Sequence, residues 1–373
     1  MSEAGNSGMV TPRATFILFV FAAVLGAQAR DPLPVPDLPG YKTLKCDFHV
    51  HTVFSDGEVW PTTRISEAWR EGLDAIALTD HVNTHPHAPD VRTDLRRPYE
   101  VALPEAQRSG IILIQGVEIA EGNLHCNALF VTDPNAFNGL KLLEALRAAR
   151  SQGAFVFWNH PGWKRKPEWF PLIASAYDEH LFQGVELVND LDFYPEVFPW
   201  IAERSLTIFA NSDTHIPTSA QYAPRTRPVT LVFARSADPE GIHEAMLARR
   251  TAAWMGGQVW GAEEYLRGLW AGSILVASSE VKFAGGGVRR AALQIQNRSA
   301  IPFRLRIAET PAWLYAGAGE VPAERTAEIG LALAKNAPEG THRVEIQFEV
   351  LNLHAAPDRN LTVRLPLNVE VRP

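Results

Sequence analysis

Short apolar runs alternate with amphipathic segments from Tyr41 to about Trp270, and this alternation indicates the fold class before any single residue is considered. Residues 44–51 read as a strand, after which Trp60, Ile65, Ala68 and Trp69 recur at helical spacing as far as Gly72, a suitable residue to follow a helix end. Further strands are expected at 74–79, 111–119, 128–131, 154–158, 185–188, 207–210 and 229–233. A helix is expected through Leu140, Leu143, Leu146 and Ala149, ending at Gly153. Strands and helices in alternation predict a parallel α/β sheet, and this many units predict a barrel spanning 41–275.

After Trp270 the period changes to two. Val281 and Phe283, Leu293 and Ile295, Phe303, Leu305 and Ile307, then Val344, Ile346, Phe348 and Val350 alternate with polar neighbours, and every second residue of 361–371 is apolar. Short alternating strands between Gly, Pro and Asn turns predict an antiparallel, Ig-like β-sandwich over 276–373. Its histidines, His342 and His354, form no cluster, so an accessory domain is expected, structural or binding another protein or a glycan.

The N-terminus follows neither pattern. Arg13 precedes an apolar run over 16–26, and Ala27-Gln28-Ala29 supplies the small residues of a cleavage site, so 1–29 reads as a signal peptide and 30–40 as a Pro-rich linker. The run is shorter than the ~20 residues a membrane helix needs. Export to the periplasm or beyond, without a permanent membrane span, is the expectation. A net charge of −7 and a pI near 6.0 supply no basic field for a phosphate polymer, which argues against nucleic acid as substrate. Strand alternation turns the two cysteines, Cys46 and Cys126, away from the neighbouring polar positions, so both should pack as small apolar residues.

Chemistry gathers where the barrel strands end. His49-Val50-His51, Ser55-Asp56-Gly57, Thr79-Asp80-His81, Glu118, His125, Asn159-His160-Pro161-Gly162 and Ser212-Asp213-Thr214-His215 follow one another along the chain. In a strand, residues two apart share a face, so Asp47, His49 and His51 project together. Taken singly, Asp-Gly is an ordinary turn and His-x-His a chance pair. Glu118 in an apolar strand is harder to dismiss, because a carboxylate there has to be paired or metal-bound. Nine carboxylate and imidazole ligands exceed what one tetrahedral ion needs, and barrels place their chemistry at the C-terminal strand ends, so a multinuclear hydrolytic site is predicted. His125 precedes its expected strand, which points to a distorted or partly antiparallel element.

In this order the motifs resemble the PHP superfamily, the polymerase and histidinol phosphatase domain, over about residues 41–270. The resemblance implies a distorted seven-stranded β/α barrel, phosphoester hydrolysis, and up to three zinc, manganese or iron ions. It implies that His49, His51, Glu118 and Asp213 hold one ion, that Glu118 bridges to a second shared with His125 and His160, and that Asp56, His81 and His215 hold a third. The apparent export signal, the stretch His81 to His87 and the β-rich tail are most similar to secreted Sb-PDE-type phosphodiesterases. A small organic phosphodiester is therefore the expected substrate, with a phosphomonoester, an amide or a non-catalytic binding role as the alternatives. No lysine stands among the strand-end motifs, as the bridged amidohydrolase sites would require.

Other residues are candidates for supporting roles. Asp80 is expected to orient an imidazole or move a proton. His85 and His87 are candidates to reach the substrate or protonate its leaving group, Arg225 and Arg227 to clamp a phosphate, and residues 163–166 to form a gripping lid. Trp60 and Trp69 are expected to pack in the core.

Overall fold

The computed structural model describes Met1 and residues 29–284 and 289–372, so nearly all of the expected signal segment lies outside the described residues. The barrel strands are β1 (Lys42–Val50), β2 (Ala75–Leu78), β3 (Ile112–Glu121), β4 (Leu124–Leu129), β5 (Phe155–Trp158), β6 (Gly184–Asn189), the two-residue β7 (Asp192–Phe193), β8 (Thr207–Asn211) and β9 (Val229–Ala234). β1, β2 and β3 pair in parallel, and so do β5, β6 and β8. β4 runs antiparallel to both β3 and β5. This corrects the expected strand at 128–131 and explains His125. The strand begins at Leu124, and because it is reversed its first residues lie at the rim where the parallel strands end.

The seam of the barrel closes in two ways. The first half of β1 pairs antiparallel with β9, from Lys42 opposite Ala234 to Cys46 opposite Thr230. The second half meets the segment after β8, where Val50 bridges Thr214 and the His51 amide donates to the Thr214 carbonyl at 3.1 Å. Phe48 N also donates to the Asn211 side chain at 3.0 Å. The end of β1, which carries both opening histidines, is thereby held against the loop that carries the last two ligands.

Helices wrap this sheet as the 3.6-residue pattern predicts. Helix α1 (Pro61–Arg70) starts with proline in its first turn and buries Ile65 and Ala68. Gly72 follows it at φ 79°, and a Cβ there would lie 2.5 Å from the Asp31 carbonyl oxygen, so both conformation and close approach require glycine. Helices α2 (Arg97–Ser109) and α3 (Leu142–Ser151) follow β2 and β4. Both cysteines are free and buried.

Beyond the hairpin β10 (Thr251–Met255) and β11 (Gln258–Gly261), the Ig-like region is built from β12 (Ile274–Val276), β13 (Glu280–Phe283), β14 (Arg290–Asn297), β15 (Phe303–Glu309), β16 (Leu314–Ala316), β17 (Gly319–Val321), β18 (Thr326–Leu333), β19 (Gly340–Ala356) and β20 (Arg359–Val371). One sheet runs β12-β14-β18-β16 and the other β13-β20-β19-β15-β17. Pairing is antiparallel except between β13 and β20. The long β19 continues past a register shift to pair in parallel with β11, Val259 opposite Leu353, so the sandwich sheet and the barrel sheet are one hydrogen-bonded surface. A single apolar cluster joins Leu266, Leu269 and Trp270 to Phe303, Phe348 and Val363. The Pro-rich stretch lies in this junction, with Leu33 and Leu38 buried and the Pro34 carbonyl accepting from Ala300 N at 2.6 Å.

Candidate metal centre

The nine candidate ligands converge on one mouth of the barrel. His49 Nε2 and His51 Nε2 lie 3.1 Å apart, and each is 3.0–3.3 Å from Glu118 Oε2 and Asp213 Oδ1. His51, Asp56, His81 and His215 form a second group of donor atoms, and His81, Glu118 and His125 a third. Glu118 is shared by two of these groups, and so are His51 and His81. Its other oxygen sits 2.9 Å from His125 Nδ1 and 3.4 Å from His160 Nε2. The structure therefore brings together every ligand that the sequence suggests, with His51 added to the Asp56 group and His160 touching Glu118 from outside the third.

The atoms face a common centre more than they face one another. Asp56 Oδ1, His81 Nδ1 and Asp213 Oδ1 are buried and take part in no aligned hydrogen bond. Asp213 Oδ1 is nonetheless 3.0 Å from His51 Nε2. Close approach without alignment, among buried groups that should be satisfied, is what ligands pointing at an ion produce. Carboxylate and imidazole donors fit zinc, manganese or iron(II). Two of the ligands sit in the left-handed backbone region, His160 at φ 27° and Asp213 at φ 50°, a local cost that non-glycine residues bear mainly where position matters.

Charge in this cluster is strongly coupled. Burial alone would discharge His49, but Asp213, Glu118 and Glu186 outweigh it and raise its pKa well above the ordinary value. His51 is likewise opposed by burial and carried up to about 9 by Asp213 and Glu118. His81, dominated by burial, falls to about 4, and so offers a neutral ring. Burial favours the acid form of Glu118, yet the imidazoles around it keep its pKa well below the usual carboxylate range. A cation entering this site replaces the protons that the imidazoles otherwise hold.

A second set of residues fixes these ligands. Glu186, which sequence reasoning did not single out, accepts from His49 Nδ1 at 3.0 Å and from Asn211 at 2.9 Å, and its other oxygen accepts from His160 N at 2.7 Å and Asn189 at 2.9 Å. It locks the tautomer of one ligand and the backbone of another. Its signal was available, since Glu186 interrupts an apolar strand as Glu118 does. Arg64 is another omission: buried on α1, it donates to the carbonyls of His51, Thr214 and Ile216 and so ties the two ends of the mouth. Gly57 lets the loop that bears Asp56 turn back on itself, since a Cβ there would lie 2.8 Å from the backbone of His51 and Thr52.

The remaining candidates fall elsewhere. Asp80 touches no imidazole directly: it accepts from Thr52 N, Thr52 Oγ1 and Ser55 Oγ at 2.6–2.8 Å, and Ser55 in turn faces His51 Nδ1 at 3.3 Å. It shapes the ligand loop and reaches the imidazole only through a hydroxyl. His85 turns both ring nitrogens to backbone carbonyls, Phe54 and Val82, each at 2.9 Å, and braces two loops. His87 is half-buried in the following loop. Arg227 is buried and paired with Asp47 and Glu71, beneath the ligands. Arg225 pairs with Asp31 and Glu324, where barrel, N-terminal stretch and sandwich meet. Neither arginine is placed as a phosphate clamp, because carboxylates distant in sequence claim both. Trp163 does line the mouth, 5.2 Å from the His125 ring and 5.4 Å from that of His160, and Lys164 lies over its face at 3.9 Å. Trp60 is exposed at the rim, contrary to the expected core packing.

Comparison with known proteins agrees with this geometry. The family model described as the PHP domain matches residues 47–185, and an Ig-like domain model matches 276–366. A two-domain protein from Bacteroides vulgatus, described as containing a predicted PHP-like metal-dependent phosphoesterase, is 35% identical, with a TM-score of 0.84 over 92% of this chain and 100% of its own. Two more distant structures are each 16% identical. One, described as a metal-dependent phosphoesterase from Bifidobacterium adolescentis, has a TM-score of 0.39 over 55% of this chain and 96% of its own. The other, an amidohydrolase from Chromobacterium violaceum with bound sulfate and no metal, has a TM-score of 0.38 over 56% and 97%. No curated protein matches the chain. The chain belongs to the PHP family of metal-dependent phosphoesterases, and within it to the two-domain form in which an Ig-like domain follows the barrel.

Proposed function

We propose that this phosphoesterase hydrolyses phosphodiesters of small organic groups, that it uses three divalent ions, and that it does so after export. The observation that carries the three-ion reading is the sharing of Glu118, His51 and His81 among three donor groups, which makes the groups neighbours. Ions held by these donors would polarise phosphoryl oxygens and would lower the pKa of a water toward neutrality. The protein's own part is to hold nine donors fixed, with Glu118 and Asp213 kept ionised by the surrounding imidazoles. Access lies on the Asp56 and His215 side, where the side chains are 33% and 36% exposed while those of His49, His51 and Glu118 are at most 1%. Trp163 flanks the mouth beside His125 and His160, with Lys164 over its ring.

A diester is favoured over a monoester because the two arginines expected to grip a terminal phosphate are committed elsewhere. A diester carries one negative charge at neutral pH, and needs less added cationic help than a dianionic monoester. The narrower likeness to secreted Sb-PDE-type phosphodiesterases rests on the N-terminal pattern, the stretch from His81 to His87 and the β-rich tail. Among the described residues no helix is long and apolar enough to cross a membrane.

The test is a substrate panel on protein purified without chelators: bis(p-nitrophenyl) phosphate, p-nitrophenyl phosphate and a p-nitroanilide, each with added manganese or zinc. Turnover of the diester in excess of the monoester is expected, with about three ions per chain by elemental analysis. Monoester preference would overturn the diester reading, and amide turnover alone would overturn the phosphoester substrate. Export is tested by sequencing the N-terminus of protein recovered from outside the cytoplasm, with Arg30 as the expected first residue.

A further inference from the structure

A cleft of about 210 Å³ lies on the same end of the barrel as the metal ligands, lined by Phe54 and Trp60 on one side and Asp90, Val91, Arg92, Arg97 and Val101 on the other. Its position follows from topology. One wall is the loop between β1 and α1, which carries Asp56; the other is the loop from β2 and His81 into the first turns of α2. Both walls are therefore continuous with ligand-bearing segments. His85 joins them, with its ring nitrogens on the carbonyls of Phe54 and Val82. The first wall is also tied to the accessible side of the site, because Glu58 N donates to the His215 carbonyl at 2.7 Å two residues before Trp60.

The lining is chemically selective. Phe54 and Trp60 pack ring to ring at 5.5 Å, and Trp60 is 46% exposed although it is a large aromatic in a folded domain. Across the cleft, Arg97 pairs with Glu100, whereas the exposed Arg92 makes no ion pair among the described residues. An aromatic wall and a guanidinium in one cleft suit a flat aromatic group, which can stack on the first and accept a hydrogen bond from the second at its edge. The volume is below the ~300–1,000 Å³ of sites for drug-sized ligands, so it accommodates a single ring and not a larger conjugate.

We propose that this cleft is a specificity subsite that receives one aromatic ring of the phosphodiester, with Trp60 as its stacking residue and Arg92 as its polar edge. This rests on the diesterase reading and narrows it from small organic diesters to those with an aryl group.

The test holds the leaving group constant. Bis(p-nitrophenyl) phosphate and p-nitrophenyl ethyl phosphate release the same nitrophenolate and differ in the group that remains. The metal-loaded wild-type protein is expected to prefer the bis-aryl ester. Trp60→Ala should lower the ratio of the two kcat/KM values about tenfold, through KM more than kcat, and Trp60→Phe should restore most of it. Arg92→Ala should lower the ratio less. A ratio unchanged in Trp60→Ala would overturn the subsite, as would an equal loss on both esters carried by kcat. Should the wild type turn over neither ester, the diesterase reading fails on its own. The subsite is then decided by calorimetric binding of phenylphosphonate against methylphosphonate: a wild-type preference for the phenyl compound that Trp60→Ala removes supports it, and equal binding overturns it.

Discussion

The barrel mouth and the Ig-like sandwich obey opposite rules. In the sandwich, burial tracks the alternation of sequence, so Leu293, Ile295, Phe348 and Val363 are inside while polar neighbours such as Gln294 and Arg364 are exposed. At the mouth, the most buried side chains include His49, His51, Glu118 and Glu186, drawn from strands whose neighbours are Phe, Val and Leu. Burying such groups costs stability unless each is paired or coordinated, so a region that violates the folding rules in one concentrated place points to chemistry. The sandwich, whose buried polar residues Asn297, Ser299 and Asn352 are uncharged, supplies apolar area at about 25 cal/mol per Å² and contributes none of the nine candidate ligands.

The largest effect that separates the two regions should come from removing a ligand. His49→Ala or Asp213→Ala is expected to lower phosphodiester turnover by at least ~10³-fold, since the transition-state stabilisation supplied by bound ions is worth several kcal/mol. Circular dichroism should show the fold retained. Activity within tenfold of wild type in both variants would mean that the mouth is not the reaction centre.

Next in size is Arg227→Ala. It leaves the Asp47 carboxylate buried without its guanidinium partner beneath the ligand strand, and truncating one member of a buried pair costs about 3–5 kcal/mol. Urea denaturation should show that loss. An equivalent truncation in the sandwich, Arg306→Ala, breaks an exposed pair with Glu349 and should cost no more than ~1 kcal/mol. Equal costs would remove the contrast between the regions.

Third is Glu186→Gln, which replaces a carboxylate that accepts four hydrogen bonds, two of them from ligand residues, with an amide that turns a donor toward one of those pairs. Ion affinity should fall about 10–100-fold, measured by competition with a chelator, with smaller change in the stability of ion-free protein. An unchanged affinity would assign Glu186 to packing alone.

These same residues show how far sequence carries. Most of the candidate ligands were legible because they stand at or just past a strand end, where the strand period puts alternate residues on one face; His125, at the start of the reversed β4, and Asp56, on a loop, do not follow that pattern. Glu186 was equally visible as a carboxylate in an apolar strand, but its nearest sequence neighbours form no motif, and its partners His49 and Asn211 lie 137 and 25 residues away. Arg225 read as a phosphate clamp because it follows the last ligands, whereas the group that claims it, Asp31, is 194 residues earlier. Trp60 occupies a helical position shared with buried residues, yet it precedes the first helical turn and projects from the rim. The pairing of β19 with β11 is not legible in the sequence for a related reason: strand pattern specifies which face is buried and not which distant edge will be joined.

The smallest predicted effect lies at that join. His354 stacks on Trp260 at 5.4 Å with its Nε2 donating to Gln258 Oε1 at 2.8 Å, and burial pushes its pKa below the ordinary imidazole value. The sign is opposite to that of His51 in the mouth, where carboxylates outweigh burial. Because the folded form resists the proton, the unfolded chain binds more protons as pH falls below about 6.5, and stability declines in that direction. His354 is only half-buried, so solvent limits the effect. His354→Phe keeps the stacked ring and removes the titration. Between pH 7.5 and 5.5 the wild type should therefore lose about 1–2 °C more in Tm than the variant, and parallel curves would show that the junction is insensitive to this charge.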